Sequence, residues 1–359
     1  MNLIDNIKAF SILGGFLTQF SDEFTSEESL IEFEHLNNTF KERLIQAING
    51  SVNYNGWFTE DNVRYALISI ADNLTEDKLL KWTRKYKDSL TGIKPQKVGV
   101  IMAGNIPLAG FHDFMCVLIT GNILIGKLSS QDKLLLPLLA DILIEIEPSF
   151  KNKIVFTEGR IDSMDAVIAT GSNNTSRYFD YYFGKYPNII RKNRNSVAVL
   201  TGKESEIDIF NLGSDVFRYF GLGCRNVTKV YVPRDYNFDV FFQGIYDFQW
   251  IANNSKYVNN YHYNKTVYLM GNEKLLDNGF LILKEDKTMS SPVGVLFYEY
   301  YEDLEGIQKK LQSELSEIQC VVSNKVDKIS SIKFGAAQKP GIEEYADGVD
   351  TIQFLAGLK

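Results

Sequence analysis

Over the first ninety positions apolar residues recur every three to four places, a spacing that predicts helices. One covers Glu27 to Ala47 and is closed by Asn49-Gly50; a second is opened by Thr59-Glu60-Asp61 and runs to about Asp72; a third covers Thr75 to Tyr86. From Lys97 the pattern changes. Val98-Gly99-Val100-Ile101-Met102 is a short unbroken apolar run, the kind a parallel sheet buries on both faces. A turn, a helix from about Leu108 to Ile119, a strand over Asn122 to Leu128 and a helix over Lys133 to Glu145 follow, then strands at Lys153 to Thr157 and Asp165 to Thr170. A second set of strands is expected at Ser196 to Leu200, Val227 to Val232, Thr266 to Met270, Phe280 to Leu283, Val293 to Tyr298 and Ile318 to Val322. Helices over Ile207 to Phe220, Phe238 to Trp250 and Asp303 to Glu314 alternate with them. The alternation predicts an α/β protein with two open sheets behind a helical N-terminal segment. The main boundary falls near Asn193–Asn195, which divides the chain into 1–194, 195–330 and a Gly- and charge-rich tail, 331–359, for which a return to the first domain is one reading.

At 359 residues, 45% of them hydrophobic and 13% aromatic, the chain has material for two or three cores. A net charge of −7 argues against a nucleic-acid partner, since phosphate binding needs a positive field. No basic block or basic amphipathic helix points to a membrane surface. The longest uncharged stretch, Val98 to His112, contains Gly, Asn and Pro and is shorter than the roughly 20 residues of a membrane-crossing helix. The N-terminus carries Asp5 and lacks a basic flank, so no signal peptide is expected. The three cysteines, Cys116, Cys224 and Cys320, are scattered, with no CxxC or Cys/His cluster. That predicts no metal site and suits a reducing cytoplasm.

Four segments carry candidate chemistry. Cys224 stands in Gly221-Leu222-Gly223-Cys224-Arg225-Asn226, between a helix and a strand, where a thiol meets a substrate without crowding; a small buried side chain is the competing reading. Asn105, in Ala103-Gly104-Asn105-Ile106-Pro107-Leu108, follows a strand. Its amide either donates to a developing oxyanion or caps the next helix, with Pro107 in that helix's first turn. Gly126-Lys127-Leu128-Ser129-Ser130 ends the next strand and offers an ammonium and two hydroxyls to ribose or phosphate oxygens, or else a solvated loop. Thr170-Gly171-Ser172 precedes a helix whose free N–H groups suit a pyrophosphate, Ser172 being otherwise a simple cap. Neither GxxxxGK[ST] nor GxGxxG is present. The aromatic stretches Tyr178 to Tyr186 and Tyr298 to Tyr301 fit core or subunit contacts better than an acyl pocket, and His112 fits a hydrogen-bonded structural role better than a proton donor.

In this order, strand–Gly-Asn-x-Pro, strand–Gly-Lys-x-Ser, strand–Thr-Gly-Ser and helix–Gly-x-x-Cys resemble the aldehyde dehydrogenase superfamily, and more narrowly the LuxC-type acyl-CoA reductases of bacterial luminescence. Trp57-Phe58-Thr59 with Val63, Ala66-Leu67 and Trp82, and the ending Gln338-Lys339-Pro340 with Tyr345-Ala346-Asp347-Gly348-Val349-Asp350-Thr351, resemble the same family, so that the likeness spans nearly the whole chain. The resemblance implies an aldehyde dehydrogenase-like fold. It implies Cys224 as catalytic thiol, Asn105 with the Cys224 N–H as oxyanion hole, Lys127 at the adenosine ribose, and Thr170, Gly171 and Ser172 beside the cofactor pyrophosphate.

Departures from the superfamily sharpen the expectation. Hydrolytic members carry a Glu-Leu-Gly-Gly glutamate where this chain reads Ile189-Ile190-Arg191-Lys192-Asn193-Arg194-Asn195, with no carboxylate. Without a base to activate water, an acyl-enzyme is kept for reduction. NAD-preferring members often place a Glu three residues after the ribose lysine, where this chain has Ser130, so NADPH is expected. The glutamate that holds the nicotinamide ribose has no counterpart in Thr288-Met289-Ser290-Ser291-Pro292. The expected reaction is NADPH-dependent reduction of an acyl thioester to an aldehyde. The donor is an acyl-CoA or acyl-protein, an acyl-protein synthetase is a candidate partner, and a homo-oligomer is expected. The alternatives are an acyl-phosphate reductase or aldehyde oxidiser of the same fold, or an acyl-carrying subunit without turnover.

Overall fold

The computed structural model describes residues 2–21, 31–161, 163–171, 173–324 and 330–358. Two compact units emerge, Met1–Lys192 with Gly341–Lys359, and Asn193–Pro340.

The first unit opens with helices α1 (Leu3–Leu17), α2 (Glu42–Tyr54), α3 (Glu60–Ala71) and α4 (Glu76–Thr83). Their starts are written locally: Asn2 and Asp5 form a capping box on α1, and Thr59 accepts from the Asn62 N–H to open α3. The early part of the predicted Glu27–Ala47 helix, residues 27–30, lies outside the described residues. Strand β1 (Lys97–Ile101), helix α5 (Phe111–Ile119), strand β2 (Ile123–Lys127), helix α6 (Leu135–Ile146), strands β3 (Ile154–Thr157) and β4 (Ala166–Thr170), helix α7 (Asn173–Phe183) and strand β5 (Asn188–Arg191) follow. The five strands form one parallel sheet in the order β3-β2-β1-β4-β5. Val98 and Val100 of β1 are at most 1% exposed, as the unbroken apolar run requires of a central strand. Phe10 of α1 packs edge-on against Phe114 of α5 and Phe150, joining the N-terminal helices to the core beside the sheet.

The second unit contains strand β6 (Asn195–Val199), helix α8 (Glu206–Phe217), strand β7 (Val227–Pro233), helices α9 (Phe238–Gly244) and α10 (Ser255–Met270), strands β8 (Leu275–Asp277), β9 (Ile282–Glu285) and β10 (Val295–Tyr301), helix α11 (Leu304–Ser313) and strands β11 (Ile318–Val322) and β12 (Ser331–Ile332). They make a sheet ordered β12-β11-β6-β7-β10-β9-β8, parallel except for the β8–β9 pair.

Several sequence expectations change: helix α2, expected to close at Asn49-Gly50, runs through them to Tyr54. Thr266 to Met270, expected as a strand, is the end of helix α10. The β-branched and aromatic residues there suit a strand, but Asn254 caps the segment through the Lys256 and Tyr257 N–H groups, and Tyr257, Tyr261 and Asn264 form one buried helical face. Leu269 and Met270 are exposed, so no sheet gains from them. The helix expected from Leu108 starts at Phe111, because Leu108 is left-handed (φ 57°) and its N–H bonds to the Asp132 carboxylate. Strand β5, short and interrupted by polar ends, shows no strand-length apolar run in the sequence.

The last stretch belongs to the first unit. A short helix, α12 (Thr351–Ala356), packs on α5, with Ile352 and Leu355 fully buried. Tyr345 accepts from Trp82 Nε1 (2.9 Å) and meets the Tyr86 hydroxyl (2.8 Å), which donates to Asp350 (2.6 Å). Arg191 of β5 pairs with Asp113 of α5 and donates to the Thr351 hydroxyl at 3.1 Å. Residues 331–340 remain with the second unit, where Asp215 of α8 accepts the Gly335 and Ala337 N–H groups at 2.7 and 2.9 Å.

Candidate functional site

In the first sheet the strand order reverses between β1 and β4, and ligands of open α/β sheets bind at the carboxyl ends of such strands. Three of the sequence segments end there. Ile101, the last residue of β1, is in register with Lys127 on one side and Ala169 on the other. The chain then leaves β1 into the Gly104–Asn105 loop, β2 into Ser129–Ser130 and β4 into Gly171. The first two loops touch: a Cβ on Gly104 would lie 2.5 Å from the Ser129 Cβ, so only glycine permits this approach. Asn105 and Ser130 are exposed, and Lys127, Ser129, Thr170 and Gly171 are half-buried. Ser172 lies outside the described residues.

The Asn105 loop is held from below by Asp132. Its carboxylate accepts the Leu108 N–H at 2.9 Å, and Asn55 donates to the Gly104 carbonyl at 3.4 Å. Burial pushes the Asp132 carboxyl up to about 6, against the lowering effect of backbone hydrogen bonds from Leu108 and Leu135. At the last residues of β1 and β2 a cavity of about 410 Å³ is lined by Ile101, Lys127, Arg160, Tyr182, Lys185 and Tyr186, among others. Sequence reading missed Arg160 and Lys185; the β3–β4 connection and the end of α7 bring them to Lys127. Three cations and three aromatic rings, Phe183 among them, around one cavity fit the phosphates and flat base of a dinucleotide.

In the second unit, Cys224 sits in a turn just before β7 and is the exposed cysteine of the three. Cys116 is buried, which pushes its thiol up, and it lies 3.7 Å from His112 Nδ1; burial lifts Cys320 to about 11. His112 is half-buried, its pKa lowered by desolvation, and it is bonded through Nε2 to the Ile342 carbonyl at 2.8 Å, a structural arrangement. The Cys224 turn has an unusual approach. Tyr219, Phe220 and Gly221 are all left-handed (φ 54°, 58° and 76°). For two aromatic residues that geometry costs about 1–2 kcal/mol each, offset by burial of their rings at 6% and 2% exposure, about 1.5–3 kcal/mol for such a side chain.

Asn226, fully buried, holds the turn. Its Nδ2 donates to the carbonyls of Asp215 (3.0 Å), Val216 (3.3 Å) and Arg218 (2.7 Å), and its Oδ1 accepts the Gly223 N–H at 2.8 Å. Ser196 of β6 donates to the Cys224 carbonyl at 2.9 Å, and Arg225 is fastened through Nε to the Ala337 carbonyl. Strand β7 begins at Val227, so no helix follows Cys224 to lend it a positive end, and the cation next to it in the chain is Arg225.

The family model described as Acyl-CoA reductase (LuxC) matches residues 56–237, just over half of the chain and the span that holds Asn105, Lys127, Thr170 and Cys224. The chain belongs to the LuxC acyl-CoA reductase family. Membership makes it an oxidoreductase of acyl and aldehyde groups. No curated protein matches it in sequence. Among solved structures it is similar to aldehyde dehydrogenase 21 from Physcomitrella patens (TM-score 0.66, 12% identity, 99% of this chain and 84% of that one). It is also similar to the putative aldehyde dehydrogenase PutA from Anabaena variabilis (0.60, 14%, 89% and 78%) and to the NAD⁺ complex of an aldehyde dehydrogenase from Bacillus cereus (0.56, 13%, 91% and 73%). At these identities the likeness shows the fold, which is that of the aldehyde dehydrogenases, as the order of motifs implies. Among the described residues no helix of this LuxC-family chain is long and apolar enough to cross a membrane.

Proposed function

We propose that this chain reduces an acyl thioester such as acyl-CoA to a fatty aldehyde with NADPH, through an acyl-enzyme on Cys224. The observation that carries the reading is the exposed Cys224 thiol on a turn fastened by buried Asn226, in a family of acyl-CoA reductases. The Cys224 sulfur attacks the thioester carbonyl, its C–S bond forms, and the CoA thiolate leaves. Asn105 and the Cys224 N–H donate to the oxyanion; losing one such donor typically costs about 3–4 kcal/mol of transition-state stabilisation. A bound reduced nicotinamide supplies the hydride. The Cys224 sulfur then departs from the thiohemiacetal, which frees the aldehyde and returns the thiolate. The Ile189–Asn195 stretch, the region of the glutamate in hydrolytic members, has no carboxylate, and its Arg191 is committed to Asp113, so it offers no base for water.

Lys127, Ser129, Ser130, Thr170, Gly171 and Ser172 are the proposed cofactor contacts. Arg160 and Lys185 join Lys127 around the cavity and favour a 2′-phosphate, which supports NADPH over NADH. The same reading carries an acyl-CoA or acyl-protein donor, an acyl-protein synthetase as supplier, and a cytoplasmic homo-oligomer. The test is aldehyde formation by Cys224→Ala, with mass spectrometry of the wild type after acyl-CoA without cofactor. The expected result is loss of aldehyde in the variant and an acyl adduct on Cys224 in the wild type. Undiminished turnover removes Cys224 from the mechanism. An adduct formed from acyl-phosphate alone makes the enzyme an acyl-phosphate reductase, and an adduct without NADPH consumption makes it a carrier.

A further inference from the structure

A second cavity in the first unit lies at the other edge of the five-stranded sheet, away from Asn105 and Lys127. Pro95 before β1, Gly121 before β2 and Lys153 before β3 are in its lining, so it opens at the amino ends of the strands. Its volume is about 800 Å³, within the range of small-molecule sites. Leu3, Ile4 and Ile7 of α1, Leu80 of α4, and Leu90 and Ile93 from the segment entering β1 make an apolar wall. The charged residues of the lining are Arg84, Lys87 and Lys153, with no carboxylate among them, in a chain of net charge −7.

Two polar groups in this lining are incompletely used by the fold. Lys153 donates to the Gly121 carbonyl at 3.0 Å, and burial lowers its pKa, so its ammonium gains from an anion brought close. Asn6 is 1% exposed; its Nδ2 donates to the Leu118 and Ile119 carbonyls at 3.1 and 3.0 Å, while its Oδ1 is buried without a hydrogen-bond partner. Buried acceptors left unmatched are rare in native folds and mark places where a donor arrives from outside the chain.

We propose that this cavity binds an amphipathic carboxylate, a free unbranched aliphatic acid. Its chain lies against the Leu3, Ile7 and Leu90 wall, and its head pairs with Lys153 and the Arg84–Lys87 rim. A water carried with the head group supplies the donor that Asn6 Oδ1 lacks. The site is built within the first unit and does not depend on the proposed reaction.

The experiment is calorimetric titration of the full chain with decanoate, decanol and acetate, repeated on an Arg84→Glu/Lys87→Glu double variant. Both rim residues are exposed, so the double variant keeps its fold and its turnover of a short acyl-CoA. Decanoate is expected to bind the wild type, with decanol and the double variant each weaker by about tenfold and acetate without measurable heat. Equal decanoate affinity in wild type and double variant overturns the proposal, because binding then resides elsewhere, as in an acyl pocket. No decanoate binding, or binding only to anionic phosphatidylglycerol vesicles, overturns it as well. Heat of binding is read without turnover, so failure here is distinct from failure of the Cys224 mechanism.

Discussion

Asn226 links three carbonyls at the end of α8 to the Gly223 N–H, and it does so from a fully buried position. An alanine there leaves those groups unmatched inside the second unit. Asn226→Ala should therefore lose roughly 3 kcal/mol of stability, since each orphaned buried group costs about 1–3 kcal/mol and partial access to water recovers some of it. Chemical denaturation measures the loss; a change below about 0.5 kcal/mol would mean the turn stands without this residue. Cys224 was legible in the sequence because glycines flank it between a helix and a strand. Asn226 was not, because the carbonyls it donates to lie eight to eleven residues back and reach it only through the left-handed Tyr219–Gly221 turn. Arg160 escaped notice for a similar reason, since the long β3–β4 connection alone carries it to Lys127. If the cavity holds a 2′-phosphate, Arg160→Ala should raise KM for NADPH about tenfold or more and leave KM for NADH little changed, since a charge-assisted phosphate contact is worth about 1.5–3 kcal/mol. Equal effects on both cofactors would place Arg160 away from the 2′ position.

At the scale of elements, the β1 loop depends on a carboxylate from the next connection. Folding raises Asp132 from its ordinary value of 3.8 to about 6. A carboxyl raised on folding contributes stability that is fully present below the unfolded pKa and is lost as pH rises through the folded one. The window is thus about pH 4 to 6, and a gap of that size corresponds to at most about 3 kcal/mol. Asp132→Asn removes the titration. Relative to that variant the wild type should lose stability from pH 4 to pH 6 and run parallel above it. Asp215, raised the same way by burial, adds a slope of like sign in the second unit, so the difference between wild type and variant is the quantity to follow. Parallel curves throughout would show that Asp132 is not shifted. The strands bounding this loop were readable as apolar runs, as was the position of Asn105 after the first of them. The loop's conformation was not: Pro107 suggested a helix start, whereas the Asp132 hydrogen bond, made from twenty-four residues downstream, keeps Leu108 left-handed. The Thr266–Met270 segment failed likewise, its local β-propensity overruled by the Asn254 cap and a buried face shared with Tyr257.

Across the whole molecule, the alternation of strands and helices made two α/β sheets legible, but the sequence did not show what the last nineteen residues contribute to the first. Ile352 and Leu355 are fully buried, and burial of each is worth about 2 kcal/mol. The tail also supplies Thr351 to Arg191, the Ile342 carbonyl to His112, and Tyr345 and Asp350 to Trp82 and Tyr86. Removal of these partners strands polar groups that β5, α4 and α5 have already buried, at about 1–3 kcal/mol for each one left dry. A domain has only about 5–15 kcal/mol in all. Truncation after Pro340 should therefore bring the first unit close to unfolding while sparing the second, whose own Gly335 and Ala337 bonds to Asp215 remain. Hydrogen exchange resolves the two: protection should collapse in α5 and β5 and persist in β6, β7 and β10. Intact protection throughout α5 would mean that the tail only decorates a core already complete without it, whereas equal collapse in both units would mean that their folding is coupled.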